Sequence, residues 1–391
     1  MRLAARMARL GTETAFDVLV RARELEQQGR EIIHLELGEP DFLTPAPIIE
    51  AAYRALKDGW TKYGPSAGLP QLREAIAEEV SRRRGISITP DQVVVTPGAK
   101  PILFFSILAL IDEGDEVIYP NPGFPIYESV INYVGGVPVP IPLREERDFA
   151  LDVEELIRKI TPRTRMIILN SPHNPTGSVL GYDDLKAIAE AVLDRDLMIL
   201  SDEIYSRIVF EGEHVSIAQF PGMLEKTIIL DGFSKTYAMT GWRLGYGIMR
   251  ADLAAQIAKL QTNSTSCTAS FVQIAGIEAL RGDQAPVAEM VAEFRRRRDR
   301  IVAGLNAIEG FSCRMPKGAF YVFPNITRTG WTSKALADYL LEEAGVACLA
   351  GTAFGQYGEG YLRFSYANSL ENIERALERI AHAVAKARAV A

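Results

Sequence analysis

Six short, largely apolar runs that do not alternate constrain this chain more than any other feature. They are Val93-Val95, Glu116-Tyr119, Met166-Asn170, Leu197-Ser201, Lys226-Leu230 and Leu244-Met249. Apolar residues on both sides of the pleat mark strands that are covered on both faces. Helical patterns fit between most of them, such as Asp183 to Leu193. Two more helices precede or interrupt the runs. Pro47 to Asp58 opens on a proline and is followed by Gly59, and Pro70 to Arg84 carries Leu72, Ile76 and Val80 on one face with Gly85 as its stop. This alternation predicts an α/β fold with a mostly parallel sheet flanked by helices on both sides.

The C-terminal part reads differently. A long charged helix from Ala288 to Ile308 leads to short strands near Phe311-Cys313 and Ala319-Phe323. A helix near Ser333-Ala344, strands at Val346-Leu349 and Leu362-Ser365, and a last helix from Leu370 to Arg388 complete a smaller α+β domain. With 391 residues the chain exceeds one small core. The expected division is a large domain over 46–285 and a small domain built from 1–45 and 286–391.

Bulk charge narrows the function. The formal net charge of −7 disfavours nucleic acid as a partner. The basic clusters Arg82-Arg84 and Arg295-Arg298 lie in helical patterns and read as solvated helix faces. The three cysteines, Cys267, Cys313 and Cys348, show no CxxC spacing, which argues against a disulfide framework or zinc site and suits a reducing cytosol. With four scattered histidines, no metal centre is expected. The longest greasy run, Ile102 to Ile111, is broken by Ser106; it is too short to span a bilayer and reads as a buried helix. The first ten residues carry three arginines and no acid, but no long apolar core follows, so a mature cytoplasmic N-terminus is expected.

In open parallel sheets, ligands bind beyond the carboxyl ends of the strands. Polar segments follow those ends here. Thr96-Pro97-Gly98-Ala99-Lys100 makes a glycine turn that opens a helix, whose free N–H groups and positive dipole end suit a phosphate. Ser171-Pro172-His173-Asn174-Pro175-Thr176-Gly177 and Asp202-Glu203-Ile204-Tyr205 follow two further strands. Asp231-Gly232 reads as a turn leading into Ser234-Lys235-Thr236-Tyr237 and then Gly241-Trp242-Arg243. A lysine held at a strand end can lose water and carry an amine of lowered pKa, fit to form a Schiff base. An arginine eight positions on can return past the same spot and grip a phosphate bidentately. Together they point to a pyridoxal 5′-phosphate (PLP) site. Each segment alone has an ordinary reading: a solvated lysine, a turn glycine at 98, a helix cap at Asp202, a plain loop at Asn174-Pro175. Their convergence on one sheet edge is the argument.

These segments, with Gly38-Glu39-Pro40-Asp41-Phe42, Tyr63-Gly64-Pro65 and Arg363, resemble the class I/II aminotransferases of PLP fold type I nearly end to end. The resemblance implies a seven-stranded sheet in the large domain and a homodimer with shared active sites. It implies that Lys235 forms the Schiff base with PLP and, once displaced by substrate, carries the proton between the substrate Cα and the cofactor. Asp202 would pair with the pyridine nitrogen and keep it protonated, making the ring an electron sink. Asn174 and the Tyr205 hydroxyl would bond the 3′-oxygen, and Phe124 would stack on the ring. The turn at Gly98, the backbone N–H groups of Ala99 and Lys100, Ser234 and Arg243 would hold the phosphate. Tyr63 would reach it from the neighbouring subunit. Arg363 would take the substrate α-carboxylate, helped by the backbone near Gly38 and by Asn174. Lys235, Asp202 and Tyr205 are thus the expected catalytic residues. Asn121-Pro122 and Asn174-Pro175 resemble bonds that are cis in relatives.

The chain also departs from the pattern. A serine common three residues before the lysine is Gly232 here, so one phosphate hydroxyl is expected to be missing. Thr12-Glu13-Thr14-Ala15 stands where some bacterial aspartate aminotransferases line the substrate mouth with small hydroxyl residues; a Glu13 facing the site would disfavour an acidic side chain. Lys100 stands where one bacterial subgroup meets the distal carboxylate of aspartate or glutamate. The expected reaction is ping-pong transamination from an amino acid, aspartate or glutamate first, to a 2-oxo acid such as 2-oxoglutarate. Alanine and aromatic donors are alternatives, as is a non-transaminating PLP enzyme such as a C–S β-lyase, because the pocket decides the fate of any Cα carbanion. A non-enzymatic ligand-sensing module is disfavoured by the short stretch before Gly38 and by the intact lysine.

Overall fold

The computed structural model describes residues 1–390. Its strands are β1 (Ile33–His34), β2 (Val93–Thr96), β3 (Glu116–Asn121), β4 (Val137–Pro142), β5 (Thr164–Asn170), β6 (Met198–Asp202), β7 (Thr227–Gly232), β8 (Gly245–Ile248), β9 (Tyr321–Val322), β10 (Val346–Ala347), β11 (Leu349–Ala350) and β12 (Leu362–Ser365). β2 to β8 form one seven-stranded sheet in the order β2-β8-β7-β6-β5-β3-β4. β3 to β7 run parallel, and β8 runs antiparallel to both its neighbours.

Neighbouring residues of these strands serve opposite cores, which is why the runs do not alternate. Ile228 and Leu230 pack with the helices Lys100–Leu110, Ile126–Val134 and Ala251–Ser264, whereas Ile229 packs with Pro70–Arg84 and Ser270–Arg281. The six expected strands all occur. β4, with the sequence Val-Pro-Val-Pro-Ile-Pro, was not among them. Proline donates nothing to a ladder. Alternate residues of a strand direct their N–H groups to opposite sides, and β4 pairs only with β3 at the sheet edge, so prolines at every second position are tolerated there.

The remaining strands are short. β1 and β10 form a parallel pair, and β11-β12-β9 an antiparallel sheet. The helices Ala285–Asn306 and Leu370–Val390 cross closely at Gly304, where a Cβ would lie 2.3 Å from the Leu377 side chain. Phe294, Phe320 and Tyr366 fill the core beside them, and Tyr205 joins that core from the large sheet. No helix among the described residues is long and apolar enough to cross a membrane.

Several expectations need correction. Asp231 and Gly232 are not a turn but the last residues of β7, both buried. Phe311-Cys313 makes only an isolated bridge, Ser312 with Asn325. Val346-Leu349 divides between β10 and β11, which belong to different sheets. The Ser333–Tyr339 helix continues as a π-helical stretch, Leu340–Ala344. Each basic run is only in part a solvated face: Arg82, Arg295 and Arg296 are exposed, but Arg84, Arg297 and Arg298 are buried. Arg84 is buried and donates to Glu203 at 2.7 Å and Asp231 at 2.9 Å. Arg297 bonds Asp41 at 2.6 Å and lies 4.9 Å from the Phe42 ring centre, while Arg298 bonds Glu211 at 3.0 Å and lies 5.0 Å from that of Phe210. Guanidinium groups stack on aromatic faces and take buried carboxylates, so composition alone misleads here.

Candidate active site

A cavity of about 570 Å³ lies at the carboxyl ends of β5, β6 and β7. Gly38, Ala99, Lys100, Phe124, Asn174, Asp202, Tyr205, Ser234, Lys235, Arg243 and Arg363 all line it. Gly98 is not in the wall but shapes it from behind. Tyr63 is 91% exposed and does not reach the cavity of its own chain.

One end of the cavity is a cradle for an anion. β2 ends at Thr96, whose hydroxyl donates to the Gly98 carbonyl at 2.6 Å and tightens the turn before the Lys100–Leu110 helix. Gly98 has φ +81, and a Cβ there would sit 2.2 Å from the Arg243 Nη2. Arg243 is itself left-handed (φ 54), and its guanidinium bonds the carbonyl oxygens of Thr240 at 2.8 Å and Pro97 at 3.5 Å. It has no carboxylate partner among the described residues. Ser234 is buried alongside. A helix N-terminus, a hydroxyl and an uncompensated guanidinium thus converge on one spot.

Lys235 follows β7, and its ammonium donates to the Gly38 carbonyl. Burial pushes its pKa down to about 8, against the pull of Glu13 and Glu39 upward, with Arg363 and Arg243 adding to the fall. Asp202 ends β6 and is buried. It accepts from the Tyr127 hydroxyl at 2.6 Å and from the Ile204 N–H at 3.3 Å. Burial pushes its carboxyl up to about 6, outweighing those two hydrogen bonds. No cation touches it among the described residues. A buried carboxyl and a desolvated amine therefore line the same cavity, each with its pKa moved toward neutrality.

The far end binds through Arg363 on β12, a buried residue. Its Nη1 donates to Asn174 Oδ1 at 3.1 Å and its Nη2 to the Glu36 carbonyl. The guanidinium lies 4.4 Å from the Tyr321 ring centre and 4.9 Å from that of Phe354. Its Nε is buried without a partner. Asn174 is fixed by a 2.9 Å bond from its N–H to Asn170 Oδ1. The Tyr205 and Tyr321 hydroxyls bond each other at 2.7 Å, and burial pushes the Tyr205 hydroxyl well above its ordinary pKa. Gly38 has no room for a side chain, since a Cβ would lie 1.9 Å from the Tyr321 hydroxyl. Asn121-Pro122 and Asn174-Pro175 are cis, and so is Ser171-Pro172.

The mouth carries Glu13, Phe16 and Leu19. Glu13 does face the cavity, and its Oε2 pairs with the Lys100 Nζ at 2.8 Å. Sequence reasoning missed Tyr127, Tyr321 and the role of Asn170. Asn170, a polar residue closing an apolar strand beside the Asn174 loop, carried a readable signal. Tyr127 and Tyr321 carried none, because their partners Asp202 and Tyr205 lie far away along the chain.

Comparison with known proteins agrees with this geometry. The family model "Aminotransferase class I and II" matches residues 30–380. Aspartate aminotransferase of Pyrococcus horikoshii is 44% identical over 94% of this chain and 93% of its own length. Aromatic-amino-acid aminotransferase 2 of Thermococcus litoralis is 42% identical over 91% and 92%. The structure of aspartate aminotransferase from Thermus thermophilus with maleate superposes with a TM-score of 0.94 at 40% identity, covering 98% of this chain and all of that one. With a sheet, a lysine loop and an end-to-end match of this kind, the chain belongs to the class I and II aminotransferases.

Proposed function

We propose that this enzyme binds PLP and moves an amino group from aspartate to 2-oxoglutarate, or from glutamate to another 2-oxo acid, in two half-reactions that share one site. The observation that carries the reading is the order of groups in the cavity: anion cradle, desolvated amine, buried carboxyl without a cation, buried arginine. The residues fit the cofactor. A phosphate suits the Gly98–Ala99 turn, Ser234 and the unpaired charge of Arg243. A pyridinium nitrogen supplies the positive partner that buried Asp202 lacks.

Bound there, PLP supplies an electron sink that makes the substrate Cα–H acidic. Lys235, with its pKa near 8, would hold the cofactor covalently and would take the proton from the substrate Cα and deliver it to the cofactor. Asp202 keeps the ring nitrogen charged, and Tyr127 orients that carboxylate. Tyr205 and Asn174 donate to the ring oxygen, Phe124 covers one face, and Arg363 grips the α-carboxylate beside the Gly38 backbone. Tyr63, too exposed to serve its own site, reaches the phosphate of a second subunit in a homodimer. We read 46–285 as the cofactor-binding domain and 1–45 with 286–391 as the smaller one, residue 391 lying outside the described residues. The free, buried thiols of Cys313 and Cys348 suit the cytoplasm.

The aspartate relatives favour an acidic donor; the Thermococcus relative and the apolar Phe16 and Leu19 at the mouth favour an aromatic one as the second reading. The holoenzyme mixed with aspartate and no oxo acid should convert its bound cofactor to the aminated form, seen by stopped-flow absorbance. Conversion by a neutral or aromatic amino acid but by neither aspartate nor glutamate would remove the acidic reading. Lys235→Ala should slow conversion by about a thousandfold or more.

A further inference from the structure

The Glu13–Lys100 pair has a use beyond holding the mouth together. Glu13 is the N-cap of the Thr14–Gln27 helix, yet its side chain makes no capping bond. The short side chains of Asp, Asn, Ser and Thr are the ones that ordinarily accept from the helix N–H groups at that position, so the longer glutamate is free to reach elsewhere. Here the carboxylate extends into the cavity and takes the Lys100 ammonium at 2.8 Å. The same ammonium lies 5.3 Å from the centre of the Phe124 ring, and both residues line the cavity. Beside the pair the lining carries the apolar Phe16, Leu19 and Leu37, with Arg23 and Glu39 as further charged residues.

Resting on the aspartate reading above, we propose that Glu13 is a specificity-determining residue: an internal carboxylate that competes with the distal carboxylate of a dicarboxylic substrate for Lys100. With the pair closed, the Lys100 charge is balanced by Glu13, and a neutral or aromatic side chain enters against Phe16, Leu19 and Leu37 without disturbing the pair. A dicarboxylate must displace Glu13 or share one ammonium with it, and two carboxylates at one cation repel. The pair is partly exposed, with Glu13 24% and Lys100 44% accessible, so solvent screens it and the penalty is modest. Glu13 thereby widens the range of donors at the expense of aspartate.

The test compares wild-type holoenzyme with Glu13→Gln. Maleate probes the dicarboxylate subsite without reacting, and 3-phenylpropionate probes the apolar one; both are titrated by calorimetry. In E13Q the maleate Kd should fall about three- to fivefold, with 3-phenylpropionate unchanged. The single-turnover rate constant per unit concentration should rise by a similar factor for aspartate and stay level for phenylalanine. Both gains should vanish when E13Q is made in a Lys100→Gln background, because Glu13 acts through that ammonium. If wild type binds maleate and turns over aspartate while E13Q leaves both unaltered, or moves both probes alike, the inference fails and the aspartate reading stands. If neither protein binds maleate or reacts with aspartate while phenylalanine reacts with both, the aspartate reading itself fails and takes the inference with it.

Discussion

Burial acts on Lys235 and Asp202 in opposite directions of charge. It favours the neutral amine in one and the neutral acid in the other. For Lys235 the consequence is a usable nucleophile near neutrality. With a pKa of about 8, the amine is protonated below that pH and free above it. Covalent capture of PLP by the apoprotein should therefore accelerate as pH rises through about 8 and level off beyond it, followed by absorbance. A rate that is flat across this range would refute the desolvated amine. Gly38 makes a second test at this scale. Its Cβ would lie 1.9 Å from the Tyr321 hydroxyl, so Gly38→Ala must push that ring from its place beside Arg363. Donor KM should rise about tenfold, roughly 1.4 kcal/mol, while the affinity for PLP stays level. The importance of Gly38 was legible through a familiar motif. The physical cause was not, because the tyrosine that forbids a side chain comes from a distant strand.

At the scale of the element, the Pro70–Arg84 helix shows both how much the sequence discloses and where it stops. Its bounds, its buried face and its left-handed Gly85 stop follow from periodicity and from the special conformation of glycine. Its last residue does not. Arg84 looks like part of a solvated run, but it ends under the sheet between Glu203 and Asp231. The strands behaved likewise: apolar runs covered on both faces were readable, and the proline-rich edge strand β4 was not, since its pattern is set by position in the sheet. The buried pair gives a stability prediction. Burial pushes the Glu203 carboxyl up, but Arg84 and His214 outweigh it and hold it below its ordinary value of 4.5. A depressed folded-state pKa stabilises above the unfolded value and loses that contribution as pH falls below it. Arg84→Met leaves the carboxylates buried without their cation and should cost about 3–5 kcal/mol at pH 7 in urea unfolding. The gap from wild type should narrow below about pH 4.5, as Glu203 takes up a proton. A gap independent of pH would mean that lost packing, not charge, is responsible.

For the whole molecule, the cavity reads as half of something larger. Every other expected site residue lines or shapes it, whereas Tyr63 stands 91% exposed on the surface. Leu43 is 90% exposed and Tyr53 52%, so the stretch of sequence before Tyr63 also leaves large apolar side chains in water. Isolated exposed apolar residues are ordinary, but an expected site residue left in water suits a surface covered by a second copy. The net charge of −7 opposes self-association only weakly at physiological salt. Sedimentation at micromolar concentration should therefore give a dimer. Tyr63→Phe should remain a dimer and weaken PLP binding by about ten- to hundredfold, the loss of one hydrogen bond to a charged group. The decisive experiment mixes two inactive or weakened parents. A heterodimer of Lys235→Ala with Tyr63→Phe contains one site with both defects and one site with neither, provided that Tyr63 crosses over. It should show about half the specific activity of wild type at limiting PLP, well above either parent. If Tyr63 served its own chain, each site in the mixture would carry one defect and no activity would be recovered.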